Sequence, residues 1–205
     1  MPQKSSESSG IILTVGVVSD THIPDRVRNL HPGVIPTLKS KAVDLILHAG
    51  DVSTQSVIDD LEQVAPLMMV RGNRDLVFLK RQPVFRRLEL AGTQVVLLHG
   101  HGGVFRYFWD KFRNVFDGYR LGRYLPVLLQ HAPNAKVYIF GHTHYPENIW
   151  IDGKLIFNPG SAGGGGPGLL PSIGVLKFKN NGQVLGEIIF LDGSYKKFRR
   201  WFPEC

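Results

Sequence analysis

Five short apolar runs constrain this chain most, because each leads at once into a residue type that binds metal. IILTVGVV leads into Asp20 and His22 of SDTH, and VDLILHA into Asp51 of HAGD. APLMMV leads into Asn73 of RGNRD, TQVVLL into His99 of LLHGH, and AKVYIF into His142 and His144 of FGHTH. Apolar runs of this length, bounded by turn residues, read as buried strands at 12–18, 43–47, 66–70, 94–98 and 136–140. Donors placed just past strand ends line one edge of a sheet. Asp20 and His22 are two apart, as are His142 and His144. On an extended strand end, residues two apart point the same way, so each pair can share a cation. Asp51 has a carboxylate free to bridge two cations, and Asn73 offers an amide oxygen. Gly50, Gly72, Gly100 and Gly141 beside these residues permit tight turns and close backbone approach. The whole reads as a two-metal hydrolytic centre.

Helical patterns separate the early strands. Ser53 and Thr54 cap a helix through Val64, with Val57, Ile58 and Leu61 on one face. Strand and helix in alternation imply an α/β fold with a largely parallel sheet. The C-terminal third changes character. Strands at 148–152 and 154–157 flank Asp152-Gly153, and strands at 173–178 and 184–191 flank Asn180-Asn181-Gly182. Both are hairpin signals, and they predict antiparallel strands forming a second sheet packed on the first.

At 205 residues and 43% hydrophobic, the chain suits one globular domain over 11–205, after a disordered polar segment at 1–10. Its single cysteine, Cys205, excludes a disulfide framework and a Cys-based zinc site. That fits a reducing compartment. The first apolar run is too short to span a membrane and has no basic leader, so the expected location is the cytoplasm. A net charge of +7 favours anionic partners such as phosphate esters or nucleic acid, and equally fits a basic surface that aids solubility.

An inserted basic and aromatic segment occupies about 104–131 and carries a helical pattern. Phe105, Phe108, Trp109, Phe112, Phe116 and Tyr119 alternate there with Arg106, Lys111, Arg113, Arg120 and Arg123. Gly118, Gly122 and Pro126 break it into pieces. Such a segment serves as a lid, a homo-oligomer contact, a surface for single-stranded nucleic acid, or an amphipathic helix packed into the core. The glycine-rich stretch 163–168 reads as a flexible loop, and the tail around Lys196, Lys197, Arg199, Arg200 and Trp201 as a solvated basic end.

Asp20-Thr21-His22, Gly50-Asp51, Gly72-Asn73-Arg74-Asp75, His99-Gly100-His101 and Gly141-His142-Thr143-His144, taken in this order, resemble the calcineurin-like metallophosphoesterase superfamily. The resemblance runs from about Val15 to Ser161. The short chain and Asn158-Pro159-Gly160-Ser161 look most like the small YfcE-type phosphodiesterase branch, which also includes the non-catalytic retromer subunit. The resemblance implies a four-layer αββα sandwich of two mixed β-sheets flanked by helices. It implies one metal on Asp20, His22, Asp51 and His144, and another on Asp51, Asn73, His99 and His142. Manganese is the expected ion, with iron, zinc or nickel as alternatives. The implied activity is a phosphodiesterase in which a metal-bridging hydroxide attacks a small phosphate ester or nucleotide directly. The alternatives are an interaction scaffold of the retromer-subunit type with a vestigial site, and a nuclease.

Arg74 stands where the wider superfamily often has histidine. A guanidinium stays protonated, so it cannot act as a general acid near neutral pH, but it can hold phosphate oxygens. The competing reading turns Arg74 to solvent or pairs it with Asp75. His101 is a candidate contact to substrate or metal-bound water, or a backbone hydrogen-bonding residue. Asp51, Asn73, Arg74 and His101 are thus the candidate catalytic residues. His48 reads as a core or outer-layer histidine, and His31 and His131 as surface residues. No arginine follows the Asn158-Pro159-Gly160-Ser161 block at the place where this family commonly carries one.

Overall fold

The successive residues of the apolar runs go to opposite sides of a sheet, and both sides are buried. In the computed structural model, which describes residues 10–75, 79–100, 119–130, 132–165, 168–192 and 194–203, β1 is Ile11–Val18 and β2 is Leu45–His48. Val15 and Val17 of β1, with Leu45 and Leu47 of β2, face one way. Val18 and Ile46 face the other. A strand covered on both faces loses the apolar–polar alternation of a half-exposed one, which is why these runs are continuously hydrophobic.

The first sheet has the order β10-β9-β1-β2-β3, with β3 at Leu67–Met69, β9 at Ser172–Lys179 and β10 at Val184–Phe190. β1, β2 and β3 are parallel, and β9 is antiparallel to both β1 and β10. The second sheet has the order β4-β5-β6-β8-β7. Its strands are β4 (Phe85–Leu90), β5 (Thr93–Leu98), β6 (Val137–Ile139), β7 (Glu147–Ile151) and β8 (Lys154–Asn158). β5, β6 and β8 are parallel, whereas β4 and β7 run antiparallel at the two edges.

Three apolar layers hold four layers of structure together. Between the sheets, Val15, Val17 and Leu47 meet Val95, Leu97, Ile139 and Phe157. On the outer side of the first sheet, helices α1 (Val34–Ser40) and α2 (Gln55–Glu62) press Leu38, Val57, Ile58 and Leu61 against Val18, Ile46 and Met69. On the outer side of the second, α3 (Leu125–Gln130) packs Val127 and Leu128 on Val96, Leu98, Tyr138 and Phe140. Hydrophobic burial on both faces of both sheets is the main term holding the sandwich closed.

Four expectations need correction. The first sheet is mixed rather than largely parallel, and the two C-terminal hairpins do not form a sheet together. The β9–β10 hairpin pairs with β1, while the β7–β8 hairpin pairs with β6. Each hairpin extends one sheet, leaving β10 and β7 as the outer strands. The tail is not simply a solvated basic end, because β11 (Ser194–Lys197) and β12 (Arg200–Pro203) form a hairpin of their own and bury Trp201. The Trp201 ring meets His31 edge-on at 4.6 Å, so His31 is a buried residue rather than a surface one. β4 escaped the sequence reading because its turn is Ala91-Gly92, both at positive φ, in place of the usual Asn-Gly or Asp-Gly signal. Of the basic aromatic segment, only 119–130 and the 3₁₀ turn at Leu121–Arg123 within it belong to the described residues, with Tyr124 buried.

Candidate metal centre

The parallel strands of both sheets end at one common edge, and the loops leaving them carry the donor residues. Asp20 and His22 follow β1, Asp51 follows β2, Asn73 follows β3, His99 follows β5, and His142 and His144 follow β6. The carboxyl edge of parallel strands is where α/β sheets bind ligands, since nothing there is committed to strand pairing. The loops are tied to one another by backbone bonds. Asp20 N donates to Gly50 O at 3.0 Å, His22 N to Asp51 O at 3.1 Å, and Gly141 N to His99 O at 3.2 Å.

The paired donors share a side for a reason other than the strand pleat. β1 ends at Val18 and β6 at Ile139, before either pair begins. Asp20, His22, His142 and His144 all have positive φ, between 52° and 68°, and Asp51 has 55°. Left-handed backbone at a non-glycine residue costs on the order of 1 kcal/mol, and such strain gathers at functional sites. The bends turn each side chain inward without spending extended chain. Two glycines make room for this. A methyl on Gly72 would lie 2.1 Å from Asp51 Oδ1, and one on Gly141 would lie 1.9 Å from Ser19 Oγ.

The donors converge in two connected groups. In the deeper one, His144 Nε2 lies 3.1 Å from Asp20 Oδ1 and 3.1 Å from His22 Nε2. In the shallower one, Asn73 Oδ1 sits 3.0 Å from His99 Nε2 and 3.2 Å from His142 Nδ1. Asp51 faces both, with Oδ2 3.8 Å from His22 Nε2 and Oδ1 3.5 Å from His99 Nε2. Asp20, His22, Asp51, His99 and His144 are buried, and Asn73 and His142 are half-buried.

Charge in this cluster is strongly perturbed in the metal-free protein. Burial opposes ionisation of Asp20, but the imidazoles around it, His144 first, hold its carboxyl well below the usual range. Asp51 is likewise opposed by burial and is held down to about 2 by His99. His99 in turn resists protonation through burial, yet Asp51 raises it to about 9. His48 is pushed down to about 4 by burial, which fits the expected core role. Its Nδ1 accepts Gly50 N–H at 3.1 Å.

These residues fit divalent cations. Carboxylate oxygens, an amide oxygen and imidazole nitrogens form a mixed donor set suited to manganese, iron, zinc or nickel. Two imidazole nitrogens facing each other at 3.1 Å require one proton or one cation between them. Buried His22 Nδ1 has no hydrogen-bond partner among the described residues, so that ring is held mainly from its other nitrogen.

Residues 13–181 match the calcineurin-like phosphoesterase superfamily domain. The chain belongs to the calcineurin-like phosphoesterase superfamily. A probable metallophosphoesterase of Methanothermobacter thermautotrophicus is 35% identical over 149 residues, covering 73% of this chain and 77% of the relative. Among solved structures, vacuolar protein sorting 29 of Cryptosporidium parvum has a TM-score of 0.66 at 18% identity, covering 89% of this chain and 99% of the other. An archaeal phosphodiesterase has a TM-score of 0.61 at 22% identity, covering 86% and 100%. At these identities the structural likeness establishes the metallophosphoesterase fold. Together with the donor cluster, membership makes divalent metal the expected cofactor class. Among the described residues no helix is long and apolar enough to cross a membrane.

Other residues surround the donor cluster. Arg74 does not pair with Asp75. Its Nη1 pairs with Asp25 Oδ2 at 2.5 Å, and its backbone N–H donates to Asp51 Oδ1 at 2.7 Å. Asp75, read from sequence only as a partner for Arg74, accepts three backbone amides instead, those of Asp51, Ser53 and Gly72. Asn158 donates to Gly141 O and Thr143 Oγ1, and Ser161 Oγ donates to Asp20 O. The Asn-Pro-Gly-Ser block therefore braces the loop of Asp20 and His22 and the loop of His142 and His144. Gly163 and Gly164 are buried beside it, and Gly163 N donates to Asp20 O at 3.1 Å, so this end of the glycine stretch is packed rather than free. Arg26 Nη1 lies 3.2 Å from His144 Nδ1, a neighbour the sequence does not signal because a single arginine in a polar loop has no pattern. His101, His131 and residues 104–118 lie outside the described residues.

Proposed function

We propose that this chain is a divalent-metal-dependent phosphodiesterase acting on a small phosphate ester or nucleotide. The observation that carries the reading is the convergence of seven donor side chains from five loops on one point at the sheet edge, with Asp51 facing both halves. In this reading Asp20, His22, Asp51 and His144 hold one cation, and Asp51, Asn73, His99 and His142 hold a second. Two bound cations would supply Lewis acidity, lowering the pKa of water and neutralising phosphoryl charge.

The chain's own residues do the remaining work. Ser19 Oγ and His142 N donate to Asp20 Oδ2 at 2.5 and 2.9 Å, fixing the carboxylate so that Oδ1 points into the cluster. His99 Nδ1 is held 2.8 Å from Ala49 O, which directs Nε2 inward. Arg74 contacts a substrate phosphate by exchanging Asp25 for it, a trade between two anions at a half-exposed pair. His101, two positions after His99 in the sequence, is the further residue we propose for substrate contact.

The test is turnover of bis-p-nitrophenyl phosphate and p-nitrophenyl phosphate by metal-stripped protein reloaded with manganese, nickel, iron or zinc. The expected result is metal-dependent hydrolysis favouring the diester, lowered on the order of 100-fold or more in Asp51→Asn. Absence of turnover with all four ions supports instead an interaction scaffold on the same fold, the reading that its likeness to vacuolar protein sorting 29 keeps in view.

A further inference from the structure

The C-terminal hairpin exposes a ring that a folded chain ordinarily covers. Phe198 stands in the turn between β11 and β12 and is 82% exposed. Phe198 and Arg199 both have positive φ, 48° and 64°. Left-handed backbone is strained at a bulky side chain, and glycine or asparagine is the usual occupant of such a turn. No packing offsets the strain, because Phe198 belongs to none of the three apolar layers. Lys197 Nζ lies 5.5 Å from the centre of the ring, which is otherwise open to solvent.

Cations surround that ring. Lys196, Lys197, Arg199 and Arg200 flank it, and residues 194–203 contain no acidic side chain. Lys197 pairs with Arg200 across the hairpin, one position from the pair of Lys196 and Trp201. Alternate positions of a strand face opposite ways, so with Trp201 turned inward onto His31, Lys197 and Arg200 turn outward. Neither makes an ion pair among the described residues. The hairpin is also anchored beside the donor cluster. Arg199 Nε donates to Arg26 O at 3.3 Å, and Arg199 Nη2 donates to Pro24 O and Asp25 O. Arg28 N donates to Arg199 O at 2.7 Å, and Asn29 exchanges two bonds with the Trp201 backbone. In the same loop Asp25 pairs with Arg74, and Arg26 Nη1 comes within 3.2 Å of His144. An open ring, outward cations and one loop leading to the donor cluster match a flexible chain of phosphodiesters that carries bases. The ring stacks on a base, and the cations meet phosphates. A bilayer matches less well, since one ring at a narrow turn buries little apolar surface.

We propose that the β11–β12 hairpin is a docking surface for single-stranded nucleic acid, which adds oligonucleotides to the phosphodiesters that the donor cluster cleaves. The substrate half rests on reading that cluster as a phosphodiesterase centre, and the docking half does not. Fluorescence anisotropy of labelled oligothymidylate in EDTA reads docking without metal. Turnover of the same strand and of bis-p-nitrophenyl phosphate by protein reloaded with manganese, nickel, iron or zinc reads the substrate. Phe198→Ala is expected to bind the strand about tenfold more weakly, and Phe198→Trp, which keeps a ring, to bind it as wild type does. Replacing both Lys197→Gln and Arg200→Gln is expected to lower the slope of log affinity against log salt by about 1.4. In Phe198→Ala, kcat/KM for the strand relative to that for bis-p-nitrophenyl phosphate falls about tenfold. No binding by wild type, equal binding by Phe198→Ala, or binding of phosphatidylserine vesicles in place of the strand overturns the docking surface. Turnover of bis-p-nitrophenyl phosphate without turnover of a bound strand overturns the substrate half alone. Turnover of neither with any of the four ions overturns the phosphodiesterase reading as well.

Discussion

The Asp75 carboxylate accepts the N–H groups of Asp51, Ser53 and Gly72 at 2.8–2.9 Å and is fully buried. It fixes the turn from which Asp51 reaches both donor groups. Asparagine at 75 keeps one acceptor oxygen and turns an NH₂ toward an amide N–H. Asp75→Asn should therefore cost about 1–3 kcal/mol, read as a lower denaturation midpoint, and weaken manganese binding through Asp51. His48 makes a pH prediction. Burial lowers it from 6.5 to about 4 in the metal-free protein. Between those values the unfolded chain holds a proton that the folded chain refuses, so the stability from neutral His48 is complete above pH 6.5 and is lost as pH falls through about 4. The loss is on the order of 3 kcal/mol. Asn at 48 can still accept the Gly50 N–H without titrating, so metal-free His48→Asn should show a flatter stability slope across that window. Asp51, held down to about 2, acts only below it.

At the scale of elements, the C-terminal hairpin is the part whose role is least evident from composition. It carries Lys196, Lys197, Arg199 and Arg200, yet it works through Trp201, buried against His31, and through Arg199, which ties the loop bearing Asp25 and Arg26. Trp201→Ala should lower stability by about 3 kcal/mol in chemical denaturation. It should also raise KM for the diester more than it lowers kcat, because loop 24–29 loses its anchor while the donor cluster keeps its own. The strands of the two parallel cores were legible because each is an apolar run ended by a turn residue. β4 was not, since Arg86, Arg87 and Glu89 interrupt its apolar positions and Ala91 holds the positive-φ place in its turn. The tail hairpin was hidden in the same way, with Phe198 and Arg199 at positive φ.

Across the whole molecule, the fold delivers residues far apart in sequence to one edge. Asp20 and His144 are 124 positions apart and lie within 3.1 Å. Sequence named the donors because the donor types recur after apolar runs, and the structure brings all seven together. It could not give the left-handed bends that aim them, the Asp75 brace, or Arg26, because those depend on which loops meet. The central claim is that these donors hold the cations at which a phosphodiester is cleaved. Anomalous diffraction at the manganese edge, from crystals of protein reloaded with manganese, tests it most directly. The account predicts one peak among Asp20, His22 and His144 and a second among Asn73, His99 and His142, with Asp51 between them. Protein that takes up manganese elsewhere, or leaves this cluster empty at saturating metal, would contradict it.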